Sequence, residues 1–208
     1  MARTTAPLFS MDASGSVAGA IVFSRWRGRN YVRRHAIPSN PRTGLQVGVR
    51  SVFRFITQDW KVKDPSFQAL WEAVGNVTRV TGLNADVAEN VRRIRQGRPP
   101  QNDPTDESTV ACDPVQGFSA TPLARAVALD WTYLAPGAGI WGTLLYMAIG
   151  APVVPSIANL IAVTPGSALQ AVITGLTPSL VYYFEITTFS FFNNINGSPA
   201  QASATPTA

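Results

Sequence analysis

Between Asp130 and Glu185 the chain carries no Asp, Glu, Lys, Arg or His. A water-exposed domain scatters charges over every face. A stretch this long is therefore either hidden from water or kept soluble by Ser, Thr, Asn and Gln. Burial in an assembly is the expectation. A membrane span is disfavoured: Ala138 to Val154 is apolar, but Gly139, Gly142, Gly150 and Pro152 interrupt it and no basic residue flanks it. A span needs about 20 unbroken apolar residues with such flanks. Short runs of Val, Ile, Leu, Tyr and Phe between Gly and Pro turns predict instead an all-β sandwich from Pro114 onward.

The first half is the opposite in character. Met1 to Pro100 holds 16 Lys or Arg against 6 Asp or Glu, whereas Gln101 to Ala208 holds 1 Arg against 6 acids. The pI of about 9.9 thus describes neither half. This asymmetry in 208 residues favours two modules, with the Pro- and acid-rich RPPQNDPTDEST as linker. The expected organisation is a basic α+β docking module over residues 1–98, a linker over 99–112, and a β-sandwich over 113–208. The amino terminus, MARTTAPLFSMDASG, lacks the apolar run of a signal peptide, so synthesis and assembly in a cytoplasm are expected. The single cysteine, Cys112, allows no internal disulfide and no cysteine zinc cluster.

Within the basic module, Ile21, Val22, Phe23 and Trp26, then Tyr31 and Val32, predict two strands around a turn at Arg27 and Gly28. GSVAG reads as a flexible lead-in. Asn40 before Pro41 is a helix-start signal, followed by Leu45, Val49, Val52, Phe53, Ile56 and Trp60 at the spacing of one helical face, with Arg50, Arg54 and Gln58 opposite. Asp64 and Pro65 repeat the signal ahead of Phe67, Leu70, Trp71 and Val74, so two helices should pack as a hairpin. A weaker third helix is expected over residues 86–96, leaving Arg92, Arg93 and Arg95 exposed.

Two resemblances follow from these residues. ALDWT at Ala128 to Thr132 and GLTPSLVYYFEIT at Gly175 to Thr187 resemble a fibronectin type III domain. The resemblance implies a core tryptophan at Trp131, a tyrosine corner built from Leu176 and Tyr182, and Tyr182, Phe184 and Ile186 facing the core. The order Gly15, Gly19, Phe23, Ser24, Trp26, Gly28, Tyr31, Arg33, Pro38, Asn40, Pro41, Thr43 and Gln46 resembles a family of small bacteriophage and prophage proteins. That resemblance implies a virion setting, with no defined activity.

The stretch RWRGRNYVRRH, Arg25 to His35, is the strongest candidate for function. Arginine interleaved with Trp and Tyr suits phosphate contact and base stacking, but no nucleic-acid-binding signature accompanies it. The same residues are enriched in protein interfaces, where guanidinium pairs with carboxylate in two-point fashion. A third reading is an ordinary solvated hairpin. The favoured interface comprises Arg25, Trp26, Arg27, Arg29, Tyr31, Arg33 and Arg34, with Trp141 on the sandwich; Trp60, Trp71 and Trp131 are expected in the core.

Catalysis is not expected. His35 lacks an obvious acid partner, Cys112 reads as a linker residue, and no phosphate-binding loop or GxSxG is present. Asp103, Asp106, Glu107 and Asp113 lack the spacing of a calcium loop. The sequence thus calls for no cofactor and no metal. The expectation is a non-enzymatic virion protein, multicopy or homo-oligomeric, with other virion proteins as partners. It would decorate or stabilise a capsid, or else serve as a tail or head-to-tail connector, with a basic nucleic-acid-binding accessory as a further alternative.

Overall fold

The computed structural model describes residues 3–4, 13–17, 20–26, 29–37, 42–105, 112–134, 139–191, 195 and 198–208. Its chain divides into two compact units, Met1–Pro41 and Arg42–Ala208.

In the first unit, β1 (Arg3–Thr4), β2 (Ala13–Val17), β3 (Ile21–Trp26) and β4 (Arg29–Arg34) form an antiparallel sheet in that order. The β-branched and aromatic residues of IVFSRW and RNYVRR favour a pleated backbone, and the two strands pair from Ile21 with Arg34 to Trp26 with Arg29. The expected turn at Arg27 and Gly28 lies outside the described residues, as do Asn40 and Pro41. Part of the supposed lead-in is a strand: Gly15 pairs with Phe23 and Val17 with Ile21.

The second unit opens with three helices, α1 (Gly44–Asp59), α2 (Pro65–Thr78) and α3 (Gly82–Arg95). Thr43 occupies the N-cap position of α1. The signal at the next helix is as read: the Asp64 carboxylate accepts the Ser66 N–H at 2.8 Å, with Pro65 in the first turn. Helix α3 begins earlier than expected, capped by Thr81, and Arg93 at its end is buried rather than exposed.

Seven strands follow: β5 (Val115–Leu123), β6 (Ala126–Tyr133), β7 (Ile140–Ile149), β8 (Leu160–Pro165), β9 (Gln170–Thr174), β10 (Tyr182–Ser190) and β11 (Ala200–Ala204). They make two sheets, β5-β6-β9 and β11-β10-β7-β8, the sandwich that the fibronectin type III resemblance implies. Val127, Leu129, Trp131, Leu145, Leu176, Tyr182, Phe184 and Ile186 fill the space between them. The Tyr182 hydroxyl accepts the Thr177 N–H at 3.0 Å, closing the expected tyrosine corner.

The helices do not form a separate module. Val52, Phe55 and Ile56 of α1 and Ile94 of α3 share a second core with Trp141, Leu144, Tyr146, Leu160 and Phe189, on the far side of the β7–β10 sheet. Both faces of this sheet are thus covered, and β7 is buried without interruption from Ile140 to Tyr146. A strand buried on both faces reads as a continuous apolar run. This revises two expectations: the uncharged run of β7 is covered by the chain's own helices, although Ile149, Val154 and Val172 of the same uncharged stretch stay exposed, and residues 99–105 join parts of one compact unit rather than separating two.

The packing face of α1 also differs from the reading of its apolar spacing. Gly48, Val52, Phe55 and Ile56 are buried, whereas Leu45 and Phe53 are 55% and 53% exposed and Trp60 is half-buried. Gly44 and Gly48, one turn apart, let the helix rest directly on the backbone of Ile157 and Ala158, whose carbonyls occupy the space a Cβ would take. The glycines, which carry no hydrophobic signal, decide which face turns inward.

Candidate functional site

Arg25, Arg29, Arg33 and Arg34 of RWRGRNYVRRH fall on β3 and β4 of the amino-terminal sheet. Backbone register sets Arg25 opposite Asn30, Trp26 opposite Arg29, Ser24 opposite Tyr31 and Val22 opposite Arg33. Among the described strands β4 ends the sheet on that side and pairs with β3; the pairing is extended by the His35 N–H donating to the Ala20 carbonyl at 2.7 Å. Tyr31, Val32, Arg33, Arg34 and His35 are all exposed. Among the described residues of Met1–Pro41 whose burial is defined, none is buried.

Charge follows the same division. Met1–Pro41 contains six arginines and one aspartate, while Arg42–Ala208 contains eleven basic and eleven acidic residues. The whole formal net charge of +5 therefore resides in the first unit. An exposed, single-signed surface steers partners of opposite charge.

Trp141, expected exposed or at an interface on the sandwich, is instead 4% exposed. Its ring meets Phe55 and Phe189 edge-on at 5.4 and 5.6 Å, and its Nε1 donates to Asp59 Oδ1 at 2.9 Å. Trp71 and Trp131 are buried as expected; Trp131 Nε1 donates to the Tyr133 hydroxyl at 3.0 Å, which donates to the Ala168 carbonyl at 3.2 Å.

Asp59 belongs to a buried polar centre that sequence reading missed. Lys63 Nζ lies 3.2 Å from Asp59 Oδ2 and 3.3 Å from Asp86 Oδ2, and donates to Asn102 Oδ1 at 2.8 Å. Trp71 Nε1 donates to the Asn102 carbonyl at 2.8 Å. Asn90 donates to Asp86 at 2.6 Å and to the Gln101 carbonyl at 3.0 Å, and Arg93 Nε donates to the Pro99 carbonyl at 2.7 Å. Burial pushes the Asp86 carboxyl up to about 6, against the pull of the Lys63 ammonium. Each charge has a partner, and together they pin residues 99–102 across the helices. The Asp86 to Asn90 spacing of one helical turn was the available signal.

Cys112 is a core residue, not a linker one, with Sγ 3.4 Å from Thr188 Oγ1, and His35 lies in the other unit. Among the described residues no three His, Cys, Asp or Glu are grouped to hold a metal. None of the described helices is long and apolar enough to cross a membrane. A cavity of about 840 Å³ beside Trp141 is walled by Phe55, Tyr133, Ile140, Leu169 and Phe191. Its one carboxylate, Asp59, is already paired with Lys63 and Trp141.

No protein-family model matches the chain, and no curated protein matches it. Solved structures resemble about half of it. FN3tt is 19% identical, over 48% of this chain and 98% of its own, with a TM-score of 0.37. The chicken CNTN1 FN1–FN3 domains are 10% identical over 47% of this chain and 33% of theirs, at 0.39. The β-1,2-glucanase of Parabacteroides distasonis is 15% identical over 51% of this chain, at 0.41, and the chain spans 14% of its length. The strand order and the Tyr182 corner described above carry the fold.

Proposed function

We propose that this chain is a non-enzymatic structural protein of a bacteriophage particle, docking through its basic amino-terminal sheet onto an acidic surface of another virion protein. Its role is capsid decoration or stabilisation. The observation that supports this most is the division of charge and cover. The +5 lies in a unit with no buried residue among those whose burial is defined, and Arg42–Ala208 is neutral with two cores of its own. A sheet that lacks cover gains it by meeting another surface, and arginine with tyrosine is the composition such contacts favour. The phage setting rests on the order of Phe23, Ser24, Trp26, Gly28, Tyr31 and Arg33 with Pro38, Asn40, Pro41, Thr43 and Gln46.

Quantitative mass spectrometry of purified particles tests the role. A copy number comparable to that of the major capsid protein is expected of decoration. A small ring-like number would move the protein to a tail or connector, and absence from the particle would overturn the proposal. The nucleic-acid alternative predicts affinity for DNA that falls with salt by a log-log slope of roughly 0.9 per phosphate contacted.

A further inference from the structure

A second basic surface lies in the neutral unit. A groove of about 480 Å³ runs between α1 and β8, lined by Arg42 ahead of the helix, by Arg50 and Arg54 on it, and among the described residues by no acidic one. The strand contributes Ile161, Ala162, Val163 and Thr164 in succession. Val163 packs in the helix-facing core and Ala162 in the inter-sheet core. Successive strand residues point to opposite faces, so a groove touched by both runs along the edge of the strand. Among the described residues that edge is open, because β8 ends the order β11-β10-β7-β8 and pairs with β7 alone.

An open edge presents unpaired N–H and C=O groups to any extended chain that reaches it. Here the run is short. Leu145 pairs with Ala162 and Tyr146 with Leu160, leaving Ile161 as a bulge, and Pro165 ends the strand. Ala162 to Thr164 remain, enough for a short segment and too few for open-ended stacking.

We propose that this groove binds a short, extended, acidic peptide segment of a partner protein by strand addition to β8, its carboxylates facing Arg42, Arg50 and Arg54. The spacing agrees: residues one turn apart on a helix, such as Arg50 and Arg54, rise about 6 Å. Alternate side chains of an extended strand repeat at about 6.7 Å. Main-chain pairing gives affinity, and guanidinium forks select carboxylates. The site is independent of docking through the amino-terminal sheet.

Fluorescence anisotropy of the full chain with a labelled peptide of alternating glutamate and valine tests it. Arg50→Glu with Arg54→Glu is expected to weaken binding roughly tenfold or more, as loss of close charge pairs does. Arg95→Glu with Arg98→Glu, exposed positions of the same unit that do not line the groove, is expected to change it less than about twofold at moderate salt, where charges away from the site are screened. Hydrogen exchange should slow at Ala162 to Thr164 when the peptide binds, and both double variants should melt as the wild type does. No binding, equal loss in the two double variants, unchanged exchange in β8, or displacement by oligothymidylate at lower concentration than by unlabelled peptide would each overturn the proposal.

Discussion

The molecule contains two four-stranded antiparallel sheets with opposite charge patterns. The β7–β10 sheet has seven successive buried residues in β7 and a single charged residue, Glu185, in β10. The amino-terminal sheet has four arginines in β3 and β4, and no buried residue among those whose burial is defined. Absence of charge marks a sheet covered on both faces by its own chain. On the docking proposal, clustered arginine marks one that a partner covers.

Four predictions sharpen this contrast. The largest effect is expected at Trp141, where alanine would empty the aromatic contact with Phe55 and Phe189 and leave Asp59 without its N–H donor. A loss of about 3–5 kcal/mol is expected in urea unfolding. Wild-type stability would mean that the helices do not cover the sheet.

Lys63→Met would leave two facing carboxylates without their cation, at a cost of about 3 kcal/mol or more at pH 7. The pH dependence has a definite sign. Asp86, raised from 3.8 to about 6, holds in the folded state a proton that the unfolded chain has released. Its stabilising contribution is complete below about pH 4 and is lost as pH rises through 6. The Lys63→Met deficit should therefore shrink when thermal melting is repeated near pH 5. A deficit that is flat or grows on acidification would place the uncompensated charge elsewhere.

Gly48→Ala would press a Cβ against the Ile157 carbonyl. Overpacking of this kind costs about 1–3 kcal/mol, read as a shift in the urea midpoint. If the variant is neutral, α1 does not approach that backbone as closely as the glycines allow. The smallest change in stability, within about 0.5 kcal/mol, is expected for Arg33→Glu with Arg34→Glu, as for other exposed positions. A larger loss would show that these arginines serve the fold.

Much of the fold was legible because local chemistry and tertiary structure agree where it matters. Asp64 and Pro65 start α2 as their types require, and Trp131, Leu176 and Tyr182 occupy the core positions the sandwich pattern assigns them. What escaped the sequence is long-range. Leu45 and Phe53 match the helical spacing of a core face, yet two glycines override them by allowing close approach to Ile157 and Ala158. Trp141 read as an interface residue because nothing nearby in sequence reveals that α1 lies over it. Lys63, Asp86 and Asn102 are far apart along the chain, and only the fold makes them neighbours. In the candidate interface, the strand register of Arg25, Trp26, Arg29, Tyr31, Arg33 and Arg34 was foreseeable from alternation. The concentration of all net charge in their unit became visible only once its boundary was known.

The most direct measurement compares incorporation of the wild-type chain and the Arg33→Glu, Arg34→Glu variant into particles, by quantitative mass spectrometry at equal expression. Docking through the amino-terminal sheet predicts wild-type protein in stable stoichiometry with the major capsid protein, and a variant that folds normally but falls by roughly tenfold or more, the scale of losing close charge pairs. Equal incorporation of the two would contradict docking through this sheet.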